Sequence, residues 1–442
     1  MVPRLLATAT PLAVLSWLAT SRVQAAATAA TSAPKCSWVA HELSTTRDTC
    51  RLPIDSRATA PEHWMPWSYP PHCFEPARKE GDTTAYCLFT DTAFRGSGIS
   101  VVTTPELAAS LTGGILDDGA VPASQRDHPS SPMSPGRHGG DELAYEIRDL
   151  PGRGKGVVAT RRIGAWEVIM VQFPAMVMQM DLWEAVTSPK QSRRLLNKAV
   201  RQLPPDTQER IKGLARSGRV QDPLEDVLRT NVFGLDLNGV LHMGLFVGAS
   251  RINHNCRPNI FWRHNAKTMA MEVVAVRDID VGEEITYSYV TLGKPQKMRQ
   301  EELSEWGFEC ACALCRAAPD ERQRSDDRRA RLAEIGESLT QAEALVTGAG
   351  DDSSRLSQLV AEVTALIDAE QLWPQLVVYH PLVARAFLRA GDVTQARRHT
   401  ALAEEAWLRF QGADHDYVEG LRELWREVRE AACARGEEAV GC

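Results

Sequence analysis

The chain has 442 residues, 43% of them hydrophobic and 24% charged, ordinary globular material with room for two or three domains that each bury a core. Its net charge of −7 is spread without any large excess: 11 Lys and Arg face 14 Asp and Glu over residues 1–142, 24 face 20 over 143–318, and 15 face 23 over 319–442. Such a balance excludes a fibrous protein and argues against direct nucleic-acid binding, which concentrates Lys and Arg on one surface.

In chain order, residues 1–25 read as a secretory signal peptide: Arg4 in a short leading segment, an apolar run from Leu5 to Ala19, and Val-Gln-Ala at 23–25 before a cut after Ala25. The apolar run has 15 residues and contains Thr8, Thr10, Pro11 and Ser16, too short and too polar for a bilayer span of about 20 residues. No membrane span is therefore expected once the signal is removed, and the secretory pathway or the exterior is the expected location, with the nucleus or cytoplasm as the alternative. Residues 26–112 carry Cys36, Cys50, Cys73 and Cys87 among many aromatics. Behind a signal peptide, two disulfides are favoured over zinc, because the four cysteines lack the close pairs that pre-assemble a tetrahedral thiolate site. Residues 113–142 are rich in Gly, Pro and Ser with few large apolar side chains, which predicts a disordered linker.

From Tyr145 the pattern changes to short β runs, YEIRDL, KGVVATRRI and EVIMVQF, each bounded by Gly, Pro or charge. A helical insert follows, with Leu195, Leu196, Ala199, Val200 and Leu203 at helical spacing. Strands resume at GVLHMGLF, NIFWRHN and MAMEVVAV and lead into EEITYSYV, Glu283 to Val290. The last third, 319–442, is a series of amphipathic stretches broken at GAGDD, WP, AGD and QGAD. It predicts an all-α domain of helical hairpins, tetratricopeptide-like at 382–407.

Three stretches carry the chemistry. RINHNCRPN (Arg251 to Asn259) is a polar turn around a thiol, EEITYSYV places two tyrosines at the end of a β run, and FECACALC (Phe308 to Cys315) gathers three thiols. With the glycine-rich GRGKGVVAT from Gly152, they resemble in type and order the motifs of SET-domain protein-lysine methyltransferases: NHxCxPN at Asn253 to Asn259, ELTxxY at Glu284 to Tyr289, and CxCxxC at Cys310, Cys312 and Cys315. The resemblance covers 143–318 and implies an α+β architecture, a β-rich SET core with a helical insert and a post-SET tail. It is nearest to the SET-and-MYND group, although no zinc-binding MYND insert lies between Gly156 and Asn253.

What the resemblance implies can be stated residue by residue. Gly154, Lys155, Gly156, Asn231, Asn253, His254, Tyr289 and Phe308 are expected at S-adenosyl-L-methionine, Phe308 against the adenine. Tyr289 is the expected catalytic tyrosine, with Tyr287, two positions away on the same face of a regular strand, as the alternative. Phe246, Tyr287 and Trp306 are expected along the substrate lysine channel, and Trp306 stands where relatives often have tyrosine or phenylalanine. Cys310, Cys312 and Cys315 are one ligand short of a closed structural zinc site; in the resembling family Cys256 supplies the fourth. The expected function is methyl transfer from S-adenosyl-L-methionine to a lysine of a protein substrate, histone or not, by a monomer. The alternative is a catalytically silent SET scaffold that binds a partner through its helical end. A secretory signal and disulfides conflict with where this cofactor is made.

Overall fold

The computed structural model describes residues 64, 66–74, 86–112, 114–134, 143–185, 188–341, 352–412 and 418–435. The signal peptide, Cys36 and Cys50 lie outside them.

Three short strands open the described chain: β1 (His72–Phe74), β2 (Tyr86–Asp91) and β3 (Ile99–Thr103), followed by helix α1 (Pro105–Thr112). Next come β4 (Tyr145–Leu150), β5 (Gly154–Ala159), β6 (Val168–Gln172) and β7 (Met176–Gln179). The helical insert comprises α2 (Pro189–Arg201), α3 (Pro205–Lys212) and α4 (Pro223–Asn231). Its helices start where local chemistry dictates: the Ser188 side chain accepts from the Gln191 N–H, and Asp222 accepts from the Leu224 and Glu225 N–H groups, each followed by proline in the first turn. Strands β8 (Val232–Leu237), β9 (Val240–Leu245), β10 (Asn253–His254), β11 (Ile260–Asn265), β12 (Ala270–Ala275) and β13 (Glu284–Tyr287) complete the β portion.

These strands form three sheets, ordered β1-β2-β3-β7-β9-β8, β10-β13-β5-β4 and β11-β12-β6. The first runs across the expected boundary between an N-terminal region and the SET core. Ser100, Val101 and Val102 of β3 pair in parallel with Met176, Val177 and Met178 of β7. Trp67, Phe89, Ile99 and Val101 are buried in one cluster with Val157, Val171, Phe233 and Ile285, so the two regions share a core. Cys73 and Cys87 sit opposite each other on β1 and β2 and are joined by a disulfide.

The expected linker is a correction. Among the described residues of 113–142, Leu116, Val121, Gln125 and Ser131 are buried. Leu116 and Val121 join the main apolar core, with Ile115 and Met133 packed against it, and polar anchors add to them. The buried Arg95 guanidinium donates to Asp118 and to the Ile115 carbonyl, Gln125 donates to Glu272 and accepts from Thr268, and Ser130 Oγ accepts from the Val171 N–H. A composition poor in large hydrophobes misleads where hydrogen bonds to a neighbouring sheet supply the contacts.

After β13 come α5 (Gln296–Leu303), α6 (Pro319–Gln341), α7 (Asp352–Glu370), α8 (Leu376–Arg389), α9 (Val393–Phe410) and α10 (Val418–Ala434). Helices α8 and α9 form a hairpin whose turn holds Gly391 at φ +76°, a left-handed conformation that glycine adopts without strain. The hairpin docks on the β portion through Phe410, 4.8 Å from Phe261 and 5.4 Å from Trp166 between ring centroids. No helix among the described residues is long and apolar enough to cross a membrane.

Candidate active site and metal centre

The site begins at β10, which pairs in parallel with β13, Asn253 opposite Thr286 and His254 opposite Tyr287. The turn that follows is held at every step. The Asn255 N–H donates to the Tyr287 carbonyl, and the Asn255 side chain accepts from the Arg257 N–H, the Asx-turn that asparagine favours. Buried Asn259 accepts from the Thr286 N–H at 2.8 Å and donates to the Glu284 carbonyl at 2.9 Å. The motif's second asparagine is thus a backbone clasp between the turn and β13.

His254 links this turn to the tyrosines. Its Nδ1 lies 3.0 Å from the Tyr289 N–H and must accept, so the ring proton sits on Nε2, which faces Cys256 Sγ at 3.4 Å. Burial lowers its pKa to about 3, and the ring is neutral. The Tyr289 hydroxyl donates to the Ile252 carbonyl at 2.9 Å. Strand β13 ends at Tyr287, so Tyr289 lies beyond the regular pleat; its ring is nonetheless 4.9 Å from that of Tyr287. Tyr289 also stands 5.5 Å from Trp306, 5.4 Å from His254 and 6.2 Å from Phe308. Desolvation raises the pKa of both tyrosines above the ordinary phenol value.

The glycines divide their work. Gly154, at φ +66° with open space where a Cβ would stand, is required by backbone conformation. Gly156 is required by proximity: a Cβ there would run into Leu150 Cδ1 and come within 2.9 Å of Asn253 Nδ2 and 3.0 Å of Glu284 Oε1. The Asn253 amide donates to Glu284 Oε1 at 2.8 Å and to the Lys155 carbonyl at 3.3 Å. Lys155 contributes its main chain here, since its ammonium pairs with Asp149 in solvent. Asn231, at the end of α4, is buried, and its amide N–H groups go to the Ala215 and Val227 carbonyls, which leaves only Oδ1 for a ligand. Phe246 is fully buried behind Phe233, 5.9 Å away. Phe233 itself stands against Tyr287 and Trp262 at 5.6 and 5.3 Å.

Sequence reasoning missed Phe233, Trp262, Arg153 and Arg299. Arg153 donates to the His254 carbonyl at 3.0 Å and pairs with Glu284 at 3.2 Å; its place inside GRGKG was the available signal. Phe233 and Trp262 are separated by 29 positions and meet only through the sheets.

Cys256, Cys310, Cys312 and Cys315 are all buried, with sulfurs within 4.8 Å of one another. Cys256 lies 3.8 Å from Cys310 and 3.6 Å from Cys315 between sulfurs, where tetrahedral zinc with bonds near 2.3 Å sets sulfurs about 3.8 Å apart. The tail is held for this purpose, Gln300 bonding both the Cys310 N–H and its carbonyl. Buried Arg299 has no hydrogen-bond partner at Nε and lies against Cys256 and Cys315, a cation placed to offset thiolate charge. Mutual hydrogen bonding raises the Cys256 pKa and lowers that of Cys312. The donor set and spacing fit one structural zinc ion.

Residues 154–290 match the SET domain. Among curated proteins, the chain is 29% identical over 194 residues to histone-lysine N-methyltransferase set5 of Schizosaccharomyces pombe, covering 43% of this chain and 56% of that protein. It is 38% identical over 68 residues to histone-lysine N-methyltransferase ATXR2 of Arabidopsis thaliana, covering 15% and 14% of the two chains. Against histone-lysine N-methyltransferase SMYD3 of Homo sapiens it is 36% identical over 74 residues, 16% and 17% of the two chains. The chain thus spans at most about half the length of the curated relatives it matches.

Proposed function

We propose that the protein is an S-adenosyl-L-methionine-dependent protein-lysine N-methyltransferase. The observation that carries this reading is the meeting of Asn253, His254 and Tyr289 at one place, walled by Tyr287, Trp306 and Phe308 and backed by the four-thiol cluster. The three relatives above are named histone-lysine N-methyltransferases, which supports a protein substrate.

S-adenosyl-L-methionine would bring a methyl group on a sulfonium, electrophilic and in need only of a positioned neutral amine. Asn253, the main chain around Gly154 and Lys155, and the exposed ring of Phe308 fit such a ligand, the ring offering an apolar face beside buried His254. The aromatic wall excludes water, which disfavours the charged form of a lysine entering it. Tyr289 keeps its proton at neutral pH and spends it on the Ile252 carbonyl, so its oxygen lone pairs remain free to orient the amine. It is therefore a positioning group for the nucleophile and not its base. Zinc, with four sulfur ligands, would keep no open position and act structurally. The Cys73–Cys87 disulfide supports an oxidising compartment, and metal ligation would protect Cys256, Cys310, Cys312 and Cys315, the free thiols among the described residues, there.

Calorimetry with S-adenosylhomocysteine, followed by mass spectrometry of protein substrates incubated with the labelled methyl donor, tests the reading. Binding together with a gain of one or more methyl masses on lysine is expected. A folded, zinc-loaded chain with no cofactor binding would defeat it.

A further inference from the structure

We propose that Glu370, the last residue of α7, is a positioning residue for cofactor binding: through Arg257 and Arg329 it fixes the turn that carries His254 and Cys256. The inference deepens the methyltransferase reading and rests on it.

Glu370 is fully buried. Its Oε1 accepts from Arg257 Nη2 at 3.0 Å and from Arg328 Nε at 2.8 Å; its Oε2 accepts from Arg329 Nε at 2.8 Å and from Ser325 Oγ at 2.7 Å. Three guanidiniums therefore converge on one carboxylate, and two of them lead to the site. Arg257 belongs to the turn itself, between Cys256 and Pro258. Arg329, also fully buried, continues from Glu370 to the Cys256 carbonyl at 3.2 Å and to the Lys294 carbonyl at 3.4 Å. One carboxylate thereby holds the backbone after His254 and the loop five residues after Tyr289.

That pair of attachments matters because His254 and Tyr289 depend on each other, the Tyr289 N–H being bonded to His254 Nδ1. A shift of either segment breaks that bond. Packing alone does not call for such a cluster, since apolar residues fill a contact between helices without the desolvation cost of buried charge. What the charges add is direction: forked guanidiniums fix the carbonyls they reach in distance and angle. Helices of the C-terminal region thus determine the shape of a turn some 110 positions earlier in the chain.

The test uses the full chain and the variants Arg257→Gln, Arg257→Lys, Glu370→Gln and the Arg257→Gln/Glu370→Gln double. Two quantities are read: amide hydrogen exchange over 253–259, and affinity for S-adenosylhomocysteine. Loss of a residue that orients a site from behind typically costs about 10- to 100-fold. Arg257→Gln and Glu370→Gln are expected to weaken cofactor binding by about tenfold or more and to speed exchange over 253–259, with exchange in α8 and α9 unchanged. Arg257→Lys, which keeps the charge but not the planar guanidinium whose Nη2 reaches Glu370, should fall between. The double variant should resemble Glu370→Gln alone, because the two residues act through one contact. A purely structural role would lower thermal stability while leaving cofactor affinity and 253–259 protection at wild-type values, and that result overturns the proposal. If Glu370→Gln does not fold, Arg257→Gln, whose side chain is a quarter exposed, decides by the same two readouts. A wild-type chain without cofactor binding defeats the methyltransferase reading instead, and exchange over 253–259 then decides whether the attachment exists.

Discussion

Replacing Tyr289 by phenylalanine removes one oxygen and little else. The ring contacts with Tyr287, His254, Trp306 and Phe308 remain, at centroid distances of 4.9 to 6.2 Å, and so does the backbone bond to His254. What disappears is the 2.9 Å hydrogen bond to the Ile252 carbonyl, worth about 1 kcal/mol net, or up to about 3 kcal/mol if that carbonyl is left without a donor. In a chain of 442 residues the smaller figure lowers Tm by only about 1 °C. The effect on methyl transfer is larger, because the hydroxyl is the polar atom that orients the amine: positioned groups of this kind contribute about 100-fold or more to turnover. Single-turnover kinetics with saturating methyl donor separate the two effects, and calorimetry with S-adenosylhomocysteine should show near-normal cofactor binding. Turnover within a factor of about two of wild type would refute the assignment. Tyr287→Phe is the control, and a greater loss there exchanges the two roles.

The remaining expectations concern other parts of the molecule. Cys256→Ser should reduce zinc below one ion per chain as read by metal analysis, and loosen the tail bearing Trp306 and Phe308, without unfolding α8 and α9; full occupancy would show that the fourth ligand is wrong. Gly156→Ala should weaken cofactor binding by displacing Asn253; Gly154→Ala should in addition cost about 1–2 kcal/mol of stability through left-handed strain, which thermal melts read separately from binding calorimetry. His380 and His399, on α8 and α9 with rings 5.5 Å apart, both have pKa values lowered to about 4 by burial. Their unfolded values lie near 6.5, so the unfolded chain takes up protons first as pH falls. Stability should be flat above pH 6.5 and decline between 6.5 and 4, on the order of 2 kcal/mol by pH 5 after allowance for partial exposure; His399→Gln should flatten that slope in denaturant titrations. Cys73→Ser opens a disulfide spanning 14 positions and should cost about 3 kcal/mol, measured the same way against the oxidised wild type; under reducing conditions the difference should vanish.

The strands of the β portion were legible because each is short, apolar and fenced by Gly, Pro or charge. Strands β4, β5 and β6 begin and end within a few residues of the expected runs. The site was legible because its residues lie in three local strings that local hydrogen bonds fold into turns. Four features were not. The polar segment 114–134 is ordered by partners such as Glu272 and Val171, which composition does not reveal. Strand β3 gives no sign in its own residues that it will pair with β7, because the sequence separation of a parallel pair is set by the whole fold. Helix α8 continues past Pro381, where a local rule would end it; burial of Val377, Val383 and Phe387 compensates for the missing N–H. The Glu370 cluster draws on residues 257, 325, 328 and 329, no two segments of which share a pattern.

The place of β3 in the first sheet bears on how the protein can be shortened. The segment that matches the SET domain begins at residue 154, and a chain started there would look complete by motif. It would nevertheless lack the neighbour of β7, whose outer row of N–H and C=O groups is satisfied by Ser100, Val101 and Val102. Met176, Val177 and Met178 would then form an open apolar edge, the feature that templates edge-to-edge aggregation. Soluble fragments should therefore start before Trp67, and insolubility of a shorter one would reflect a missing strand and not a failed active site.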